Sequence, residues 1–499
     1  YIIGVIFMAA VDMRVDLSSL VDTLVSGNTS RIIAAAREHL EQNEDPGVLI
    51  GRISMIAAHG DTEGHLVTTL SAAAMLCRYI HFLPLPLEPD SVENPADQED
   101  WSRAFPLFAR ALLVAVPAVQ AGHNAPPHYP DGYFPSELLD SGKSMRDAIR
   151  EAVTKGDSSM IERLLFGLYG TGADYRTMQV RTYDGIANVF QDNGHPLIYA
   201  VGGFQALDAV EWGERAPNIL HWLAPHLALK KEAQELSWVN TTRSFVGDHT
   251  EGLAGLRKRL ATPKNKSALP LRQQILQGKD TSAVCQAVYD ALLPGGATSH
   301  AVASAIALAA ADLLLHIPES DHETFTWASH GLLYAAATRA AVQQTHEAEE
   351  TLPLLFLAAA YVQTLRQELA GHQGEIGTPG ATETAPSPVT RGGGFIKASQ
   401  LDTLQAQLKE QNYQGALTTA RRYLKLNYDP RALFGVVGQT AAQTDVSADQ
   451  GHTLQIVHAA SEEYISWPRN LGNEYADAFL QVALRAIVYS KRDNLLANL

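Results

Sequence analysis

In Asn193-Gly194-His195-Pro196-Leu197-Ile198-Tyr199-Ala200 a glycine–histidine step opens a long apolar run. The same move recurs three times. Gly64-His65 opens the run 66–80, Ser329-His330 opens 331–342, and Gly451-His452 opens 453–465. Successive histidines stand 130, 135 and 122 residues apart. Two approaches are closely alike, Asp192-Asn193-Gly194-His195 and Asp449-Gln450-Gly451-His452. This spacing reads as four copies of one helical unit whose histidines meet in space.

Periodicity fills in the units. In unit 1 (14–135), Ile32, Ile33, Ala36 and Leu40 recur at helical spacing within 30–42, after a shorter helix at 18–25. Pro46 stands near the start of a helix at 48–58, and the polar turn 59–64 leads to His65. A Pro- and acid-rich loop (83–99) precedes a helix at 105–120 kinked at Pro117, and the prolines at 126, 127, 130 and 135 close the unit. Unit 2 (136–255) reads as helices at 145–154, 158–168, 177–190, from His195 to about 211, and 227–245. Unit 3 (256–370) offers 269–276, 282–293, 300–315, a helix opening at His330, and 352–370. A Gly-, Thr- and Pro-rich linker (371–396) separates it from unit 4 (397–499), with helices at 401–411, 413–424, 430–444, 452–464 and 474–490. Alternating β-branched runs are nearly absent, so the fold class is all-α. Units of about 120–135 residues exceed the usual helical solenoid repeat and fit a duplicated bundle, units 1 and 2 against units 3 and 4.

Composition bounds the partners. A chain of 499 residues has room for two to four domains, and its 46% hydrophobic content supports real cores. A net charge of −16 argues against nucleic acid. The basic clusters Lys230-Lys231 and Arg257-Lys258-Arg259 read as solvated helix faces. Two cysteines, Cys77 and Cys285, build no disulfide framework, which makes a reducing cytoplasmic location the expectation. Cys77, among Ala, Met and Leu, reads as a buried inert thiol. The apolar stretch 1–10 has no basic residues before it and fits a signal peptide poorly. No later segment reads as a transmembrane span, so a soluble protein without a membrane partner is expected.

Four convergent imidazoles would form a metal site, because neutral imidazole is a common ligand of Zn, Cu, Fe and Ni. His65, His195, His330 and His452 are the candidate ligands. Asp61, Asp192 and Asp449, three or four residues upstream, are placed to orient the rings through their other N–H or to ligate directly. Unit 3 departs, since Asp321-His322-Glu323 stands further from His330. His59, His322 and His458 are further candidates. The plainer reading is that Asp-x-Gly-His ends a loop, with Asp capping the turn. Cys-rich zinc sets are lacking, and ligands spread over distant helices suit a catalytic centre, so iron is the expected metal. Haem held between two histidines is the alternative, without the Cys-x-x-Cys-His of covalent attachment. The function these features imply is an oxygen-using oxidoreductase or oxygenase acting on a small organic substrate, with a redox partner or a second copy as further partners. The rival is a non-catalytic helical scaffold, its acidic loop 88–100 and its linker serving as interaction elements.

His195-Pro196-Leu197-Ile198-Tyr199 resembles the His-Pro-Leu-Ile-His segment of the questin oxidase-like family, and His330-Gly331-Leu332-Leu333-Tyr334-Ala335 is similar to other helix starts of that group. The resemblance implies an all-helical oxidase acting in oxygen-dependent ring opening of polyketide quinones. This chain has Tyr199 where the family shows a second histidine, so His195 alone carries over. Other motifs fail. Ser141-Gly142-Lys143-Ser144 lacks the first glycine of a phosphate-binding loop, because position 137 is Glu, and the glycines of 167–172 follow no strand. Trp327 and Tyr334 flank His330 as core or pocket aromatics.

Overall fold

The computed structural model describes residues 17–84, 101–125, 131–138, 142–212, 216–231, 235–256, 268–372, 394–468, 471–493 and 495. The amino-terminal stretch 1–10, most of the acidic loop, Pro126, Pro127 and Pro130, the basic cluster 257–259 and nearly all of the linker lie outside these residues. Among the described residues the chain is all-α, and the only bridge pairing is an isolated one between Thr444 and Arg492.

Four helices make the centre: His65–Cys77, His195–Asp208, His322–Gln344 and His452–Ser466. Their sequences are apolar on all sides, which only a helix surrounded by others tolerates. In the second, every residue from Pro196 to Phe204 is buried. Each central helix packs against the next in chain order, and the fourth returns to the first, so the four close a ring. Small residues permit the close approach. A Cβ on Gly202 would stand 2.7 Å from Thr68 Cγ2 of the neighbouring helix, and one on Gly331 would stand 2.6 Å from Leu365 Cδ1. A second layer covers the ring. Pro46–Ala57 and Phe105–Gly122 lie on the His65 helix, and Ala216–Leu227 on the His195 helix. Ser299–His316 and Leu352–His372 flank the His330 helix, and Pro430–Ala441 and Asn473–Val488 flank the His452 helix.

Three expectations are corrected. His330 does not open a helix. It lies within His322–Gln344, which starts at Asp321, whose side chain accepts from Thr324 N. Ser329 lacks glycine's freedom to turn the chain at positive φ, so the helix runs through. The segment 227–245 is not one helix, because Ala216–Leu227 ends before the Lys230-Lys231 turn and Ser237–Asp248 begins after it. Finally, Trp101–Gly122 and Ser299–His316 are long and apolar enough to cross a membrane, although no such segment was expected. With 56% and 83% of their apolar windows buried, both serve as core helices here.

A charged pair ties the third and fourth central helices together. Arg339 Nε donates to Glu463 Oε1 at 2.5 Å, with the two side chains 4% and 0% exposed, and Arg339 Nη1 donates to Gln343 Oε1 at 3.0 Å. Burial raises the Glu463 pKa, while the guanidinium pulls it back. Glu463 Oε2 has no hydrogen-bond partner, so the ion pair is what makes this carboxylate tolerable inside the protein.

Candidate metal centre

The turn before three of the central helices ends in the same way. Gly64, Gly194 and Gly451 have φ of +88°, +87° and +85°, a left-handed conformation that brings the chain abruptly into a helix whose first residue is histidine. Each glycine also abuts the next helix in the ring. A Cβ would meet Tyr199 Cε2 at 2.4 Å from Gly64, Tyr334 Cδ2 at 2.3 Å from Gly194, and Thr69 from Gly451. Tyr199, Tyr334 and Thr69 each lie four residues after the histidine of their own helix.

These turns and the Ser329 step bring the four imidazoles into one cluster. Ring centroids are 4.8 Å apart for His65–His195, 4.9 Å for His195–His330, 4.8 Å for His330–His452 and 5.2 Å for His452–His65. His330 Nε2 is 3.1 Å from His195 Nε2 and 3.1 Å from His452 Nε2. Ligand nitrogens of His65, His195 and His452 all lie within 4.8 Å of one another. His330 and His452 are buried, and His65 and His195 are half-buried.

The other ring nitrogens fix the tautomers. His330 Nδ1 lies 2.8 Å from Trp327 O, and His452 Nδ1 lies 2.5 Å from Asp449 O. A carbonyl only accepts, so in the neutral rings both Nδ1 atoms carry the proton and both Nε2 atoms present lone pairs. His195 can satisfy one of them by donating Nε2–H to His330. Nothing then separates the lone pairs of His330 and His452 at 3.1 Å. Two acceptors at that distance repel unless a cation, either a metal ion or a shared proton, lies between them.

The surroundings keep His65, His195 and His330 neutral. Burial, followed by the charges of His452 and His226, lowers the His65 pKa to about 4. Burial, followed by His330, His65 and His452, takes His195 to about 2. His330 falls to about 4 by burial and His452, against the pull of the Trp327 carbonyl. Among the described residues, the imidazoles close enough together to share an ion are those of His65, His195 and His452; His330 stands outside that set although its Nε2 touches two of its members.

Asp61 and Asp449 follow the plainer reading of the motif, in which the aspartate caps the turn. Asp61 accepts from Gly64 N at 3.0 Å and Val67 N at 2.9 Å, and Asp449 accepts from Gly451 N at 3.0 Å and Thr453 N at 2.8 Å. Both carboxylates therefore cap helices, and the ring of His452 is oriented by the backbone carbonyl of Asp449 instead. Burial pushes the Asp61 pKa up against the pull of those amides. Asp192 is drawn to Lys230 Nζ at 2.5 Å. His59 lies beside His221, with ring centroids 5.9 Å apart, and His322 stacks on Phe325; neither belongs to the cluster.

Two neighbours escaped the sequence reading. Tyr199 stacks on His195 at 4.9 Å and 6°, stands edge-on to His65 at 5.8 Å, and donates to Glu63 O at 2.9 Å. His226, from Ala216–Leu227, meets Tyr199 edge-on at 5.0 Å. Tyr199 follows His195 by one helical turn, a signal available in the sequence, whereas nothing in the spacing of His226 marks it. Comparison of the chain with protein-family models, with curated proteins and with solved structures returns no match.

Proposed function

We propose that the chain holds a metal ion among His65, His195, His330 and His452 and acts as an oxidoreductase or oxygenase on a small organic substrate. The observation that carries the metal is the pair of Nε2 lone pairs at 3.1 Å, left facing one another by the two carbonyl-bound Nδ1 atoms. Histidines contributed by four distant helices, with no Cys-rich set among them, suit a redox-active ion such as iron better than structural zinc. Two imidazoles on opposite faces of one haem iron would be separated by roughly 4 Å with the macrocycle between them, so a simple ion fits these distances better. The four imidazoles would hold the ion, and the substrate would reach it between the central helices. When bound, the metal supplies redox chemistry. The protein fixes the tautomers of His330 and His452, keeps His65, His195 and His330 neutral, and excludes water with the apolar helices around them.

The repeat belongs to the same proposal. Each unit contributes one central helix and one or more covering helices, and in units 1, 2 and 4 the glycine before the histidine abuts the residue four beyond the histidine of the next unit in the ring. This relation supports a fourfold duplication. The resemblance of His195–Ile198 to the questin oxidase-like pattern agrees with an oxidative role.

The test is elemental analysis of the purified chain beside His65→Ala, His195→Ala, His330→Ala and His452→Ala. Near-stoichiometric iron, lost in at least three variants that keep their helicity, supports the centre and calls for substrate screening under oxygen. A metal-free wild type that also fails to bind added Fe(II) refutes it, and the tetrad is then a proton-sharing structural cluster in a scaffold.

A further inference from the structure

Behind the tetrad, the four central helices line an open cavity of about 570 Å³. Its innermost wall is Thr68, Ile198, Leu333 and Gln455, each three residues beyond a histidine of the tetrad. The next layer is small and apolar: Ala72, Gly202, Ala337 and Ala459, each seven residues beyond. At the far end stand polar groups, and most of them are already engaged. Asp208 accepts from Trp212 Nε1 at 2.7 Å, Glu462 accepts from the Tyr79 hydroxyl, and Arg339 is held by Glu463.

Two lining groups are not engaged. Arg78, exposed at the end of the His65 helix, has no hydrogen bond or ion pair among the described residues. His458 Nε2 is buried without a hydrogen-bond partner. A guanidinium without a hydrogen-bond acceptor, near the Asp208 charge, and an unpartnered imidazole nitrogen leave polar capacity at this end, whereas the wall between them and the tetrad offers apolar contact. At 1.5 Å per residue, Thr68 and Arg78 are roughly 15 Å apart along the axis.

We infer that this cavity binds a monocarboxylate with an apolar body, its carboxylate at Arg78 and His458 and its apolar end against the layer below the histidines. The carboxylate pairs with Arg78, whose guanidinium makes no hydrogen bond among the described residues although it lies within reach of the Asp208 charge, and the body replaces water against alanine and glycine, the usual division of labour in a small-molecule pocket. As the substrate pocket of the metal centre this rests on the reading above, whereas as a binding site it does not.

The test uses 2-naphthoate and its neutral counterpart 2-naphthamide, titrated calorimetrically into the full chain with and without prior chelation. One-to-one binding of naphthoate is expected, weakened about tenfold or more by Arg78→Gln, with naphthamide affinity unmoved by that change. Ala337→Leu, which fills the cavity, should weaken both. Arg78 is exposed, so its variant folds even if the alanine variant does not. Absence of saturable naphthoate binding, or equal effects of Arg78→Gln on acid and amide, overturns the inference. Metal content, measured on the same samples, reports separately on the tetrad: naphthoate bound by a metal-free wild type keeps the pocket and removes only the centre.

Discussion

Alanine at position 194 tests whether the glycine–histidine turn is needed for its conformation alone or also for the space it leaves. Gly194 has φ of +87°, and a Cβ there would lie 2.3 Å from Tyr334 Cδ2, 2.9 Å from Cγ and 3.0 Å from Cε2. Those atoms belong to a ring that is 2% exposed and wedged against Phe190 at 5.3 Å and Tyr361 at 5.9 Å, so the ring cannot swing aside. Gly172 is the control, with φ of +76° and nothing within 4 Å of its would-be Cβ. Left-handed strain is common to both substitutions and costs about 1–2 kcal/mol. The clash is private to Gly194→Ala and adds about 1–3 kcal/mol by analogy with overpacked cores. In urea titrations compared at a common slope, Gly172→Ala should lower the apparent unfolding free energy by ~1 kcal/mol and Gly194→Ala by ~3 kcal/mol. The same displacement moves His195 relative to His330, so Gly194→Ala should also lower metal occupancy. If the two variants agree within about 0.5 kcal/mol, a tolerance set by ordinary additivity error, the packing argument is wrong.

Three further outcomes follow from the cluster and its supports. In metal-free protein, imidazoles whose folded pKa is depressed stabilise the fold above the unfolded value of 6.5, and that stability is lost as pH falls toward about 4. For His330 alone the loss is about 3 kcal/mol, and urea midpoints that stay flat from pH 7.5 to 4.5 would contradict it. Arg339→Met strands the Glu463 carboxylate and should cost about 3–5 kcal/mol; adding Glu463→Leu should restore most of it, and a double variant no better than the single would disprove the pairing argument. Asp449→Ala removes two amide caps and should cost about 1–2 kcal/mol while leaving metal per chain unchanged, because the backbone carbonyl orients His452. Metal lost in step with that carboxylate would return Asp449 to the role first expected of it.

The helices were legible because their periodicity and caps are local. Asp45 before Pro46 and Asp429 before Pro430 show the start of a helix in the letters alone, and both side chains accept from the first-turn amides. The convergence of His65, His195, His330 and His452 was legible only as a spacing, since no local rule brings together residues 122 or more apart. The carboxylate roles were misread for a definable reason. An aspartate three residues before a histidine is equally placed to reach the ring or the free amides of the first turn, and here the amides win. Those amides have no partner within the helix, so a buried carboxylate beside them satisfies two donors at once. His226 and the cavity arise from packing between helices distant in sequence, for which the chain carries no periodic sign.

The exception at Ser329 explains what the glycines are for. His330 enters from within a continuous helix and His452 from a sharp left-handed turn, yet both place Nδ1 on the carbonyl three residues earlier, Trp327 O and Asp449 O. A helix supplies that carbonyl by its own geometry. A loop supplies it only if it folds back on itself, and the positive φ of Gly451, with His452 N bonded to Asp449 O at 3.1 Å, does this. What the two sites hold in common is therefore the orientation of the imidazole, with its Nε2 lone pair facing the centre, rather than the glycine. A packing role alone would be met by any flat side chain at these positions. Fixing the tautomer of two facing rings so that their lone pairs oppose one another is destabilising in itself, and becomes favourable only when a cation is held between them.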